Sequence, residues 1–207
     1  MASKNRKNKV SFKWTKELII LISAIVVLIV ATIILSIPSS NERTITKFNT
    51  AIQTYNTANS TSYSQIALDS NVIVEISHDD LFKKVNSSND YIYVIYGSTN
   101  NGTVLEQLSN INSTAKEAEI KTVYFYSSQW VEETENTDTE TFQTKASLLE
   151  NDFNASVDQD QDDFDLLKYP SFLVFKDKTL VFNSQTYADV DAYNWYMYVQ
   201  KGLLLSK

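Results

Sequence analysis

Six consecutive apolar or aromatic side chains, Tyr91-Ile92-Tyr93-Val94-Ile95-Tyr96, constrain this chain more than any other stretch. A strand with one face in water alternates polar and apolar residues, whereas an unbroken apolar run of this length reads as a strand buried on both faces. The run breaks at Gly97 into a short polar loop, Ser98 to Thr103, and Val104 opens a helical pattern. Two of the three glycines in the chain, Gly97 and Gly102, fall in this turn.

The segments around this strand have clear periodicities. Val104, Leu108, Ile111, Ala115 and Ala118 follow one another at intervals of four and three, the spacing of one helix face. Upstream, the β-branched run Val72–Ile76 predicts a short strand. Ser77 and Asp80 form an S-x-x-D cap for a helix that carries Leu81, Phe82 and Val85 on one side. Downstream, Thr122–Tyr126 predicts another strand. Ser127–Lys168 then holds twelve acidic residues against Lys145 and Lys168. It reads as a solvated surface insertion, with a helix at Ala146–Phe153 and an apolar turn at Phe164–Leu167. After Pro170, Ser171–Phe175 and Thr179–Phe182 read as a hairpin closed by Lys176-Asp177-Lys178. The last helix starts from an N-cap at Asp189 and places Ala192, Trp195, Tyr196, Val199 and Leu203 on one face, with Gly202 near its end. Tyr193, Trp195, Tyr196 and Tyr198 exceed one buried face, so an exposed aromatic patch there is a second candidate interface.

The N-terminal part has a different character. Leu18 to Ile37 is 20 residues without a charge, enough at about 1.5 Å per residue to cross the roughly 30 Å hydrocarbon core of a bilayer. Six basic residues precede it against the single acid Glu17, which sets the N-terminus in the cytoplasm and the remainder outside. A cleaved signal peptide is the rival reading. Its apolar region is shorter, and Ser36-Ile37-Pro38-Ser39-Ser40 matches a cleavage site poorly, which favours an uncleaved signal-anchor. The expected organisation is a basic cytoplasmic tail at 1–17, a transmembrane helix at 18–37, an amphipathic helix and linker at 38–70, and an extracytoplasmic domain at 71–207. The protein is thus expected in the cell membrane, single-pass, with the bilayer as a partner through 18–37. In the third part, Ile45, Phe48, Ile52 and Tyr55 share a helix face, suited either to a stalk that pairs with another helix or to packing on its own domain or the membrane surface. Asn56–Gln65, rich in Thr, Ser and Asn, reads as a linker.

Composition removes several kinds of chemistry. With no cysteine there is no disulfide, thiolate nucleophile, zinc–thiolate site or iron–sulfur cluster. Beyond Glu17 there are twelve basic and twenty-four acidic residues, a net of −12, so nucleic-acid phosphates would be repelled. His78 is the only histidine, which leaves no histidine-rich metal site and makes a catalytic triad unexpected. Asp158, Asp160, Asp162, Asp163 and Asp165 open like an EF-hand loop, but Asp163 stands where that loop needs Gly and Tyr169 where it needs Glu. The run reads as acidic surface, with no metal and no cofactor expected. The N-x-[ST] sequons at Asn59, Asn86, Asn101, Asn112 and Asn154 reflect composition.

The order after the linker, β-α-β-α-β-(insertion)-β-β-α, resembles the thioredoxin-like fold family over roughly residues 71–204. The strand–loop–helix at 91–104 resembles that family's active-site region, and Tyr169–Phe182, YPSFLVFKDKTLVF, its cis-proline segment and hairpin. The resemblance implies a three-layer α/β/α sandwich around a mixed sheet. It sets Asn100, Asn101, Gly102 and Thr103 where redox members carry C-x-x-C, Val94 where they carry a buried Asp, and Lys178 where a Gly is favoured. It also implies that Thr99, Tyr169 and Pro170 border a groove in which an extended peptide pairs with the backbone. The expected function is that of a membrane-tethered, redox-inactive module, not an enzyme, that binds a protein partner outside the membrane, similar to bacterial secretion-accessory and chaperone-like relatives. The alternatives are a non-thiol enzyme using loop 98–103, for instance with Thr103 orienting a small anion or thiol, and a structural spacer of the envelope.

Overall fold

The computed structural model describes residues 15–36, 40–67, 71–134, 139–187 and 192–206. Most of the basic tail, Pro38 and the N-cap expected at Asp189 lie outside the described residues. The chain divides into two compact units, Met1–Pro38 and Ser39–Lys207.

Among the described residues the first unit is one helix, α1 (Lys16–Ser36). Its apolar side chains from Ile19 to Val30 are exposed on every side of the helix. Ile20 is 68% exposed, Val27 67% and even Ile22 37%. The Thr32 hydroxyl donates to the Leu28 carbonyl at 2.8 Å, the internal bond by which an apolar helix carries a hydroxyl. Among the described residues no helix is long and apolar enough to cross a membrane. The side chains described without a gap run from Ile19 to Val30, whereas the span read from the sequence also draws on Leu18, Ala31 and Ile33–Ile37, whose side chains lie outside the described set.

The second unit runs through α2 (Ser40–Asn59), β1 (Ile73–Glu75), α3 (His78–Ser87), β2 (Ile92–Gly97), α4 (Gly102–Glu117), β3 (Val123–Ser127), α5 (Gln129–Thr134), α6 (Thr139–Phe153), β4 (Ser171–Lys176), β5 (Thr179–Asn183), a 3-10 turn (Ser184–Thr186) and α7 (Ala192–Leu203). The sheet order is β1-β3-β2-β4-β5. β1, β3 and β2 are parallel, and β4 runs antiparallel to both of its neighbours.

The apolar run that dominates the sequence forms the central strand β2 from Ile92 on, and all six residues of β2, Ile92–Gly97, are buried, with Tyr91 half-buried just before it. Its side chains divide by parity. Tyr93 and Ile95 join one core with residues of α2, α4 and α7, while Ile92, Val94 and Tyr96 join a second with residues of α3, α5 and α6. β4 divides the same way, with Phe172 and Val174 on one face and Leu173 and Phe175 on the other. Helices therefore cover both faces of a mixed five-stranded sheet. This α/β architecture is consistent with the thioredoxin-like arrangement expected from the element order. The cap at Ser77 forms as read: its hydroxyl accepts from the Asp80 amide at 3.2 Å and donates to the Asp80 carboxylate at 2.8 Å.

One open reading is decided and one expectation changes. Of the readings of the N-terminal amphipathic helix, packing on its own domain is the one the structure bears out: Ile45, Phe48 and Ile52 are fully buried in the first core, and the compact unit runs from Ser39 to Lys207. The acidic insertion is not merely a solvated surface. Val131, Phe142, Ala146, Phe153, Phe164 and Leu166 are all buried and supply much of the second core. Among its described residues, Glu133, Asp152, Asp160, Asp162 and Asp163 are exposed while Phe142, Phe153 and Phe164 close that side of the sheet, a pattern hidden because the apolar positions are widely spaced in sequence.

Candidate functional site

The loop after β2 is built as a helix start. The Asn101 side chain caps α4, accepting from the Val104 amide at 3.2 Å, while the Asn101 carbonyl accepts from Leu105 at 3.1 Å. Ser98 is fully buried; its hydroxyl accepts from the Asn100 amide at 3.0 Å and its carbonyl accepts from Asn101 at 3.2 Å. Asn100 is exposed, and Thr99, Asn101, Gly102 and Thr103 are half-buried.

Tyr169 and Pro170 come to the same place. The peptide between them is cis. β4 begins directly after Pro170, and Ser171 lies opposite Tyr96 on β2. A Cβ built on Gly97 would lie 3.8 Å from the Pro170 Cβ. The loop and the tyrosine–proline segment, some seventy residues apart, thus share one end of the sheet, beyond the carboxyl ends of the parallel strands β2 and β3 where open α/β sheets bind ligands. The Tyr169 ring meets the Tyr96 ring edge to face at 6.2 Å, and the Tyr96 hydroxyl donates to the Leu166 carbonyl at 2.7 Å.

Gln185, in the 3-10 turn, fixes the approach to this segment. Its side-chain amide donates to the carbonyls of Asp165 and Lys168, at 2.8 and 2.7 Å, and to the Ser171 hydroxyl at 2.8 Å. Its side-chain oxygen accepts from the Asp165 amide at 2.8 Å. Nothing in the local sequence singles Gln185 out, because all these partners are distant or on another element.

On the opposite flank of the loop stands α2. A Cβ on Gly102 would lie 2.7 Å from the Tyr55 ring carbon that bears the hydroxyl, so Tyr55 lies directly on the first residue of α4. Tyr55 stacks on Tyr63 with ring centres 5.6 Å apart and planes 17° from parallel. Tyr63 belongs to the segment read as a linker, which is a strap running back along α2. Asn56 accepts from the Tyr63 amide at 2.9 Å and donates to its carbonyl at 3.0 Å. Asn49 does the same with Ile66, at 2.8 and 2.9 Å. The sequence signal was two asparagines seven residues apart on one stripe of a helix, indistinguishable there from a polar face.

The remaining candidates have structural roles. His78 Nε2 meets the Asp152 carboxylate at 2.8 Å, and its Nδ1 is buried without a hydrogen-bond partner. The ring packs beside Phe82, Tyr126 and Phe153, so His78 joins α3 to α6. Burial, with Asp152 and Asp79 nearby, pushes the Tyr126 phenol up to about 12. Among the described residues, no three His, Asp or Glu side chains are placed to hold a metal ion. In the acidic run, Asp158 and Asp165 instead accept from the amides of Asp160 and Leu167, at 3.1 and 2.9 Å. Of the aromatic residues of α7, the Tyr193 side chain lies outside the described residues; Trp195 is fully buried, the Tyr196 hydroxyl meets Thr114 Oγ1 at 2.7 Å, and Tyr198 stacks on Tyr187 at 4.7 Å. A cavity of 530 Å³ lined by Tyr91, Tyr93, Lys121 and Tyr124 lies at the other end of the sheet, where β2 and β3 begin.

No protein-family model matches the chain, and no curated protein matches it in sequence.

Proposed function

We propose that this chain is a membrane-tethered, redox-inactive thioredoxin-like module whose outer domain binds an extended segment of a protein partner beside Thr99, Tyr169 and Pro170. The observation that carries the reading is the meeting of Pro170 with the end of β2, at the mouth of the Ser98–Thr103 loop. Main-chain groups at the end of a sheet suit capture of an extended peptide, with side-chain pockets giving selectivity. The loop offers amides and the hydroxyls of Ser98, Thr99 and Thr103, groups that bind but do not by themselves act as a base near neutral pH. The absence of cysteine rules out dithiol exchange. The tether is supported by the uncovered apolar girdle of α1 and by the basic residues that precede it.

Site-specific photo-crosslinking in intact cells tests the proposal, with one probe at Tyr169 and a control at Lys121 beside the start of β3. One discrete adduct from Tyr169 and none from Lys121 is expected. Equal labelling from both positions, or none from Tyr169, overturns the groove and favours a structural spacer.

A further inference from the structure

The strap from Thr61 to Ile66 contributes a single residue, Ile66, to the core, while Ser62, Ser64 and Gln65 are exposed. Yet Asn49 and Asn56 hold it with four directed hydrogen bonds to its main chain, and the Thr61 hydroxyl donates to the Asn56 side-chain oxygen at 2.8 Å. What these bonds fix in place is Tyr63, stacked on Tyr55 at the start of α4. Glu106 follows Gly102 by four residues, on the same face of α4. It is half-exposed, and its carboxylate has no hydrogen bond or ion pair among the described residues. It lies close enough to Tyr63 to raise that phenol above its usual value, second only to burial.

Two parallel aromatic rings beside an unpaired carboxylate, on a domain of net charge −12, form a surface that favours a cation. We propose that Tyr55, Tyr63 and Glu106 form a preorganised pad for an arginine or lysine side chain of the bound segment. The inference rests on the proposed groove in naming its partner's chemistry, since Gly102 belongs to both. The partner is then a basic, extended stretch of protein. Its backbone lies beside Thr99 and Tyr169, and one basic side chain reaches over the start of α4. Because the asparagines hold Tyr63 in position before binding, little ordering cost remains to be met in the complex.

The test is selection of displayed random heptapeptides on the full chain in detergent micelles, followed by titration of the selected peptides against four variants. Enrichment of Arg or Lys at one position is expected. Affinity should fall about fivefold in Glu106→Gln and in Tyr63→Leu, the scale of one exposed ion pair with a cation–π contact. It should stay unchanged in Asp163→Asn, which removes an equal charge elsewhere. No basic preference, or equal losses in Glu106→Gln and Asp163→Asn, overturns the pad. Thr99→Asp separates the two readings. Peptides sensitive to it but not to Glu106→Gln keep the groove and remove the pad, and the reverse keeps the pad and removes the groove. If no peptide is selected, both fall.

Discussion

At the scale of single residues, room matters more than backbone freedom. None of the three glycines has a positive φ, and each sits under another side chain. At Gly97 that neighbour is a Val104 methyl, where an added Cβ would lie 2.8 Å away inside a packed core. At Gly102 it is the end of the half-exposed Tyr55, which can swing aside. Gly97→Ala should therefore cost about 1–3 kcal/mol in urea unfolding. Gly102→Ala should cost only about 0.5–1 kcal/mol, with loss of the Tyr55–Tyr63 signal in near-ultraviolet circular dichroism. Equal costs would show that the loop is not packed as described. Tyr126 gives a pH dependence. Its phenol is raised in the folded state by burial first, then by Asp152 and Asp79. The unfolded chain ionises near 10, so the neutral folded form holds its full advantage below pH 10 and loses it as pH rises towards about 12. Relative to Tyr126→Phe, the wild type should lose up to about 2 kcal/mol across that window. Parallel stability curves for the two proteins would refute the burial assigned to this ring.

At the scale of elements, the amphipathic helix α2, the stretch read as a linker and the acidic insertion are integral to the domain. α2 enters the core through Phe48 and Ile52, so Phe48→Ala should destabilise by about 3–5 kcal/mol. Asn49→Ala and Asn56→Ala each leave two main-chain groups of the strap without a partner, at a cost of about 1–3 kcal/mol each. Chymotrypsin should then cut after Tyr63 much faster than in the wild type. An unchanged cleavage rate would mean that the strap is held by something other than the asparagines. The acidic insertion behaves similarly. Asn154 closes it by exchanging hydrogen bonds with Phe164, 2.7 Å from its amide and 3.0 Å from its carbonyl, and Phe153 and Phe164 pack with ring centres 4.3 Å apart. An insertion anchored in this way is part of the fold's second layer.

At the scale of the whole molecule, the proposed tether predicts different behaviour with and without α1. The unit from Ser39 to Lys207 has two cores and should fold cooperatively without the preceding helix. A chain starting at Asn71 lacks α2 and the strap and should not. The full chain should stay in the membrane fraction through alkaline carbonate extraction, while the chain from Ser39 is released. Release of the full chain would remove the tether from the proposed function.

The central strand, the polar loop after it, the helix face from Val104 to Ala118 and the hairpin after Pro170 were all legible in the amino-acid sequence. In each, the pattern is local: an unbroken apolar run, a helical interval or a turn between two strands carries its own meaning. The sequence also determined the absence of thiol chemistry, because composition alone decides that. Only the tertiary structure decided where α2 and the strap belong and what the acidic insertion covers. It alone brought Pro170 to Gly97, and Tyr55 and Tyr63 to the start of α4. Ile45, Phe48 and Ile52 announce an apolar stripe but not what buries it, since burial is a property of two surfaces and the second is far away in the chain. Asn49, Asn56 and Gln185 bind main-chain groups that every residue possesses, so nothing in the sequence of their partners marks them. Phe153 and Phe164 sit among acids whose charges dominate the local average, and their burial follows only once the sheet offers an uncovered face.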